Sequence, residues 1–218
     1  MSARRWSMSG TAVLLAISST TAFASSEPNL LTNGSFESHV VKGSWDLFSE
    51  IPGWELISGP GIELQRGVGG WDSFDGEQWL ELDADQNGPG GGWFQNETGS
   101  SSIMQAVQTG LGQQYMLTLS FSARPGVDDN HLLVSWNDDV VIDLSASGSG
   151  LTNTAWETIS ILVMGNGDLS RLTLGDNSMD DTLGTLVDDV SLVAVNMPAP
   201  ASLSLLLLPL LTSRRRRS

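Results

Sequence analysis

The residues best placed to do chemistry are carboxylates near the two ends of one acidic segment. Asp188 and Asp189 stand side by side in LVDDVSLVAV, residues 186–195, and Glu37 closes NLLTNGSFE at 29–37. Adjacent carboxylates at the mouth of an apolar strand are costly to bury unless something positive meets them. The expectation is that the first and last strands lie side by side, with Glu37 and Asp188 sharing a structural cation. Asp189 either joins them or faces solvent. A second acidic run, Asp83-Ala84-Asp85-Gln86-Asn87-Gly88, matches the first half of a calcium-binding loop. Its twelfth position is Phe94 where a bidentate Glu belongs, so it reads as an acidic glycine loop.

A second group could bind rather than react. Trp71, Phe74, Trp93 and Phe94 occur in glycine-rich stretches, and Trp136 borders a turn. Aromatic rings outside strands offer flat apolar surface on which sugar rings stack. Trp54, Trp79 and Trp156 fall inside apparent strands and are expected in the core. Arg124 follows a core strand and is expected to clamp a carboxylate such as Asp128 or Asp129. His39 and His131 are too far apart in sequence to suggest a metal pair. There is no cysteine, no G-x-S-x-G elbow and no phosphate loop. Among 25 carboxylates, spacing selects no glycosidase pair. The chain is expected not to be an enzyme.

The elements that must position these residues read as strands. Tyr115, Leu117, Leu119, Phe121 and Ala123 alternate with Thr118, Ser120 and Ser122. Ile62 and Leu64 alternate with Glu63 and Gln65, and Leu80 and Leu82 with Trp79, Glu81 and Asp83. Short strands are also expected at 29–31, 54–58, 103–107, 131–136, 140–144, 156–163 and 169–174. Gly, Asn and Asp turns separate them, with 137–139 a hairpin turn and 67–76 a surface loop. In 186–195, residues 186, 188, 190, 192 and 194 are expected on one face. With no long amphipathic helix pattern, about ten strands predict an all-β jelly-roll sandwich over 29–195, as one domain.

The ends have another character. Arg4 and Arg5, the apolar run 12–17 and Ala22-Phe23-Ala24 make a secretory signal peptide, 1–24, cleaved after Ala24. All acidic residues fall between Glu27 and Asp189, against only Lys42, Arg66, Arg124 and Arg171, a balance of −21. Such charge argues against nucleic acid, which calls for a basic surface. It favours solubility, divalent cations or a salty medium. At 197–218, Pro198 and Pro200 precede the apolar stretch 203–211 and the cluster Arg214, Arg215, Arg216 and Arg217. The alternative is simply an apolar tail ending in arginines. These residues resemble the PEP-CTERM sorting tail of Gram-negative bacteria. That resemblance implies exosortase processing, transient membrane contact, and a place at the cell envelope or in the extracellular matrix.

NLLTNGSFES, IPGW, GIELQ, DGEQWLEL, QYMLTLSFSARPG, NHLLVSW and LVDDVSL occur in that order. Together they resemble the galactose-binding-like jelly rolls of a plant cell-wall family of unknown function. They are more distantly similar to carbohydrate-binding modules. The resemblance implies no catalytic centre and association with extracellular polysaccharide. It also implies a structural calcium whose side-chain ligands, carried onto this sequence, are Glu37 and Asp188.

Overall fold

The structure is a computed structural model that describes residues 27–84, 99–179 and 181–196. The signal-peptide and sorting-tail residues, Ala24, Pro198, Pro200 and Arg214 to Arg217 among them, lie outside the described residues. So do Trp93 and Phe94.

Twelve strands are described: β1 Trp45–Phe48, β2 Glu50–Ile51, β3 Trp54–Ser58, β4 Ile62–Gln65, β5 Trp79–Glu81, β6 Ser102–Gln108, β7 Gln114–Ser122, β8 Asn130–Trp136, β9 Asp139–Ala146, β10 Glu157–Met164, β11 Leu169–Asp176 and β12 Leu186–Ala194. They form two six-stranded antiparallel sheets. Sheet A runs β1-β4-β5-β12-β7-β10, and sheet B runs β2-β3-β6-β11-β8-β9. This is the all-β jelly-roll sandwich expected, with strands consecutive in sequence repeatedly assigned to opposite sheets.

Alternation decides which side chains meet between the sheets. Ile62 and Leu64, Leu80 and Leu82, and Tyr115 through Phe121 at every second position come from sheet A. They pack on Ile103, Leu132, Val134, Leu172 and Leu174 of sheet B. The β8–β9 hairpin turns at Asn137 and Asp138, both at positive φ. That is what a two-residue turn between right-twisted strands demands, and short polar residues accept it at least cost.

Three expectations change. Residues 29–31 are no strand, although the segment does run beside β12. Leu30 N–H donates to Leu192 O at 2.9 Å and Val190 N–H to Gly34 O at 2.9 Å. The Asn29 side chain accepts from the N–H of Leu31 and Leu192. It takes bonds a strand partner would have taken, which is why regular pairing stops. β1 and β2 were not anticipated, because neither WDLF nor EI shows an alternation long enough to register.

The third change concerns β12. Its pairing with β7 slips between Asp188 and Ser191, and Asp189 sits at a φ of 47°. The bulge inserts a residue and reverses parity. Val187 therefore shares the core with Val190 and Leu192, while Asp188 points to the outer face of sheet A. Strict alternation would have put Asp188 on the side of Val190 and Leu192.

Gly34 makes the close approach beside this bulge. A Cβ there would drive into the Val190 carbonyl. Gly34→Ala is expected to cost about 1–3 kcal/mol. Urea unfolding measures it, and an unchanged midpoint would mean that the N-terminal segment does not lie against β12.

Candidate functional site

The outer face of sheet A should be wet, yet it is buried. Glu63, Gln65, Trp79, Glu81, Ser120, Ser122 and Asp188 are all at most 4% exposed. The reason is the loop 66–78, which contains the surface loop expected at 67–76 and lies over this face. It is held at four places. Glu37 Oε1 accepts the N–H groups of Glu77 and Gln78, both at 2.7 Å. Asp188 Oδ2 accepts those of Phe74 and Asp75 at 3.0 and 2.9 Å. Asp72 exchanges bonds with Asn153, and its carbonyl accepts from Thr154 Oγ1 and Trp156 Nε1 at 2.6 and 2.9 Å. Trp71 lies over the Arg124 guanidinium, 5.3 Å from ring centroid to Cζ. Gly76, at a φ of 63°, leaves the space that the Glu37 carboxylate fills.

Glu37 and Asp188 thus converge on one loop, as neighbouring first and last segments implied. What meets them is backbone N–H. Asp188 Oδ1 also accepts the Asp189 N–H at 2.7 Å. Burial pushes Asp188 up to about 7, and nearby Asp75 adds to the rise. The three amide bonds pull the other way. Asp189 is also raised, by burial and then by Asp75. Calcium takes six to eight oxygen ligands. Glu37 Oε1 and Asp188 Oδ2 each accept two N–H bonds and have their lone pairs engaged, whereas Asp188 Oδ1 accepts one. Among the described residues no three Asp, Glu or His side chains group as metal ligands. Together these bonds make Glu37 and Asp188 a clamp on the amides of the loop.

Beneath the loop lies a cluster that sequence reasoning missed. Glu63 and Glu81 face each other across β4 and β5, and Gln65 faces Trp79. Gln65 Nε2 donates to both glutamates, and Trp79 Nε1 donates to Gln65 Oε1 at 3.1 Å. Glu81 Oε1 accepts from Arg124 and from the Gly184 N–H. Burial holds Glu81 well above the usual carboxylate range, and Glu63 raises it further against the pull of Arg124. The two buried glutamates lie in hydrogen-bond contact, with the one arginine on Glu81, and their closeness favours the protonated form of Glu81. Both are at most 4% exposed, out of reach of a polymer. Arg124 clamps Glu81, not Asp128 or Asp129. The available signal was the pairing of two alternating strands with polar outer positions, followed by an arginine.

The aromatic residues separate. Trp71 is half-buried and Phe74 is 43% exposed. The Phe74 ring meets that of half-buried Trp156 edge-on, with centroids 6.4 Å apart. Trp156, expected in the core, joins the loop because β10 begins one residue later and its indole bonds Asp72. Trp136 is corrected in the other direction. It is 5% exposed within the core and donates to Met164 O at 2.7 Å, so it offers no ring to a ligand. Trp54 is core as expected, whereas Trp79 is buried on the outer face. His39 packs on Phe48, and His131 bonds Asp143.

The chain therefore belongs to the class of two-sheet jelly-roll sandwiches, with one outer face roofed by a clamped aromatic loop. No protein-family description matches it, and no curated protein does. Solved structures similar to it include a xylan-binding domain from Paenibacillus barcinonensis, at 13% identity and a TM-score of 0.47, covering 80% of this chain and 99% of that one. Another is a carbohydrate-binding module in complex with β-1,4-galactotriose, at 18% identity and 0.46, covering 77% and 99%. A third is the K2 cleaved adhesin domain of Lys-gingipain, at 12% identity and 0.48, covering 73% and 96%. At these scores the likenesses carry neither the fold nor a ligand. The fold stands on the two sheets, and any ligand on the side chains just described.

Proposed function

We propose that the protein is a non-catalytic exported domain that adsorbs to extracellular polysaccharide through its roof loop. The observation behind this reading is the exposed Phe74 ring, set against Trp156 and flanked by Trp71 on a loop pinned at four places. Ring faces that stay outside the core on a rigid support suit stacking against the apolar faces of sugars. Asp72, Asn153 and Thr154 stand beside the rings as hydrogen-bonding groups for hydroxyls. Pre-ordering the loop reduces the entropy lost on binding. Export, exosortase processing and residence at the envelope or matrix of a Gram-negative bacterium belong to the same proposal and rest on the terminal sequences alone.

The test is retention of the full-length protein on a panel of neutral and acidic polysaccharides by affinity electrophoresis. Phe74→Ala removes a ring without any side-chain hydrogen bond. It is expected to weaken binding about tenfold, or about 1.4 kcal/mol, at an unchanged melting temperature. Failure of the unaltered protein to bind any glycan would sink the proposal in favour of a purely structural matrix protein.

A further inference from the structure

Four strands lie at the edges of the two sheets: β1 and β10 in sheet A, β2 and β9 in sheet B. Edge strands present unpaired backbone groups, and proteins ordinarily blunt them with charge, bulges or brevity. Three of these four are blunted. β1 has four residues, and its Asp46 carboxylate accepts the Leu47 N–H at 3.0 Å. β2 has two residues and opens on Glu50. β9 carries Asp139 and Asp143, and a bulge interrupts its pairing with β8.

β10 has none of these devices. It pairs with β7 over eight residues without a register shift, and its one charge is Glu157 at the first position. One residue beyond it, Gly165 N–H bonds to Gln113 O on the β7 side at 2.9 Å. Backbone groups alternate in direction along an antiparallel strand, so Thr158, Ser160 and Leu162 turn theirs away from β7. No described strand lies beyond them. The side chains lack a neighbour as well. Leu162 and Met164, on the outer face, are 55% and 53% exposed. Ile159 and Ile161, on the inner face, pack on the core yet are only partly buried.

We propose that β10 is a self-association edge, through which two copies of the chain pair antiparallel and join their A sheets into one. The occupant is a second copy because β10 complements itself. With Ile161 facing its own counterpart, Ile159 faces Val163 and Ser160 faces Leu162. Apolar inner positions then extend one another, and a polar outer position covers an exposed leucine. The outward backbone groups of Ser160 and Leu162 bond across the axis. Glu157 faces Gly165, so no carboxylate of β10 meets another. The segment's charge of −21 makes two copies repel, but on this strand only Glu157 contributes to that repulsion. Pairing that continues the sheet keeps its faces, so both roof loops lie on one side. That bivalency rests on the sugar-binding reading, whereas the dimer does not.

The test is light scattering by the full-length protein over a concentration series. In about 0.5 M sodium chloride, where charges are screened beyond about 4 Å, the mass is expected to reach twice that of one chain. Lowering the salt to about 0.05 M is expected to weaken the dimer about tenfold, because two acidic bodies then repel over a longer range. Ser160→Pro removes an outward donor at a position where an edge strand accepts proline, and is expected to weaken the dimer by at least about tenfold. Leu162→Glu sets the carboxylates of two copies near the axis and should do the same. Its exposed position makes it the second probe if Ser160→Pro does not fold. Val140→Glu, at a 58% exposed position of β9, should leave the dimer intact. A chain that stays monomeric at every salt concentration overturns the proposal. So does a dimer that survives both β10 substitutions, or one that Val140→Glu abolishes and Leu162→Glu does not. A protein that binds glycan as a monomer refutes the pairing and leaves the roof-loop reading standing.

Discussion

Arg124→Met is expected to lower the unfolding free energy by about 3–5 kcal/mol, because it strands a buried acid pair. Arg124 is the cation meeting Glu81, which faces Glu63 across β4 and β5, and its own side chain is only 13% exposed. Like charges directly opposite across two strands already repel. Without the guanidinium, both groups must take up protons or draw water into the sheet. Methionine retains much of the length and apolar volume, so the loss reports charge rather than packing. Adding Glu81→Gln should restore most of the stability, since a glutamine oxygen still accepts the Gly184 N–H. Urea unfolding of the two single variants and the double variant gives the coupling directly. A loss under about 0.5 kcal/mol would mean the pair behaves as an exposed surface bridge. The same substitution removes the partner beneath Trp71, so tryptophan emission should shift towards that of hydrated indole.

Asp188→Ala is expected to cost about 3 kcal/mol, since it leaves three backbone donors under the roof loop without their acceptor. Its conservative counterpart, Asp188→Asn, tests the charge. The folded-state value of Asp188 is raised to about 7, against about 3.9 in an unfolded chain. Between those values the folded protein keeps a proton that the unfolded chain has released. Stability is therefore greatest below about pH 4, falls as pH rises through the window and levels off above 7. Asp83, raised to about 6, slopes the same way. In metal-free buffer the melting temperature should thus decline from pH 4 to pH 7.5, and Asp188→Asn should flatten the part nearest neutrality. The Asp75 carboxylate, close to Asp188, acts in the same direction as burial, while the Asp189 amide opposes it. A melting temperature that rises across this range in the unaltered protein would contradict the burial of Asp188.

Much of the scaffold was legible because alternation is a local property. The sequence 115–123 shows its two faces without any knowledge of its neighbours, and β7 carries the expected core residues. The Asn137-Asp138 hairpin was equally readable, since only the two turn residues must adopt positive φ. What failed was the inference that a polar face is a wet face. Glu63, Gln65 and Glu81 alternate as outward residues should, but the roof loop buries them. Trp156 and Trp136 exchanged roles for a related reason. Where a ring ends up depends on which strand edge lies beside it, and one residue of strand boundary moved Trp156 from the core to the loop.

The sequence by itself determined a sandwich of short strands, its core-facing positions, its acidity, and the nearness of the first segment to the last. These follow from periodicity, turn chemistry and composition, which act over a few residues at a time. Only the tertiary structure decided what the carboxylates meet. A bulge in β12 turned Asp188 outward to the amides of residues 74 and 75, and the folded-over loop buried Glu81 with Arg124. Whether an acid ends beside an amide, an arginine or another acid depends on chain segments that meet only when the sandwich closes.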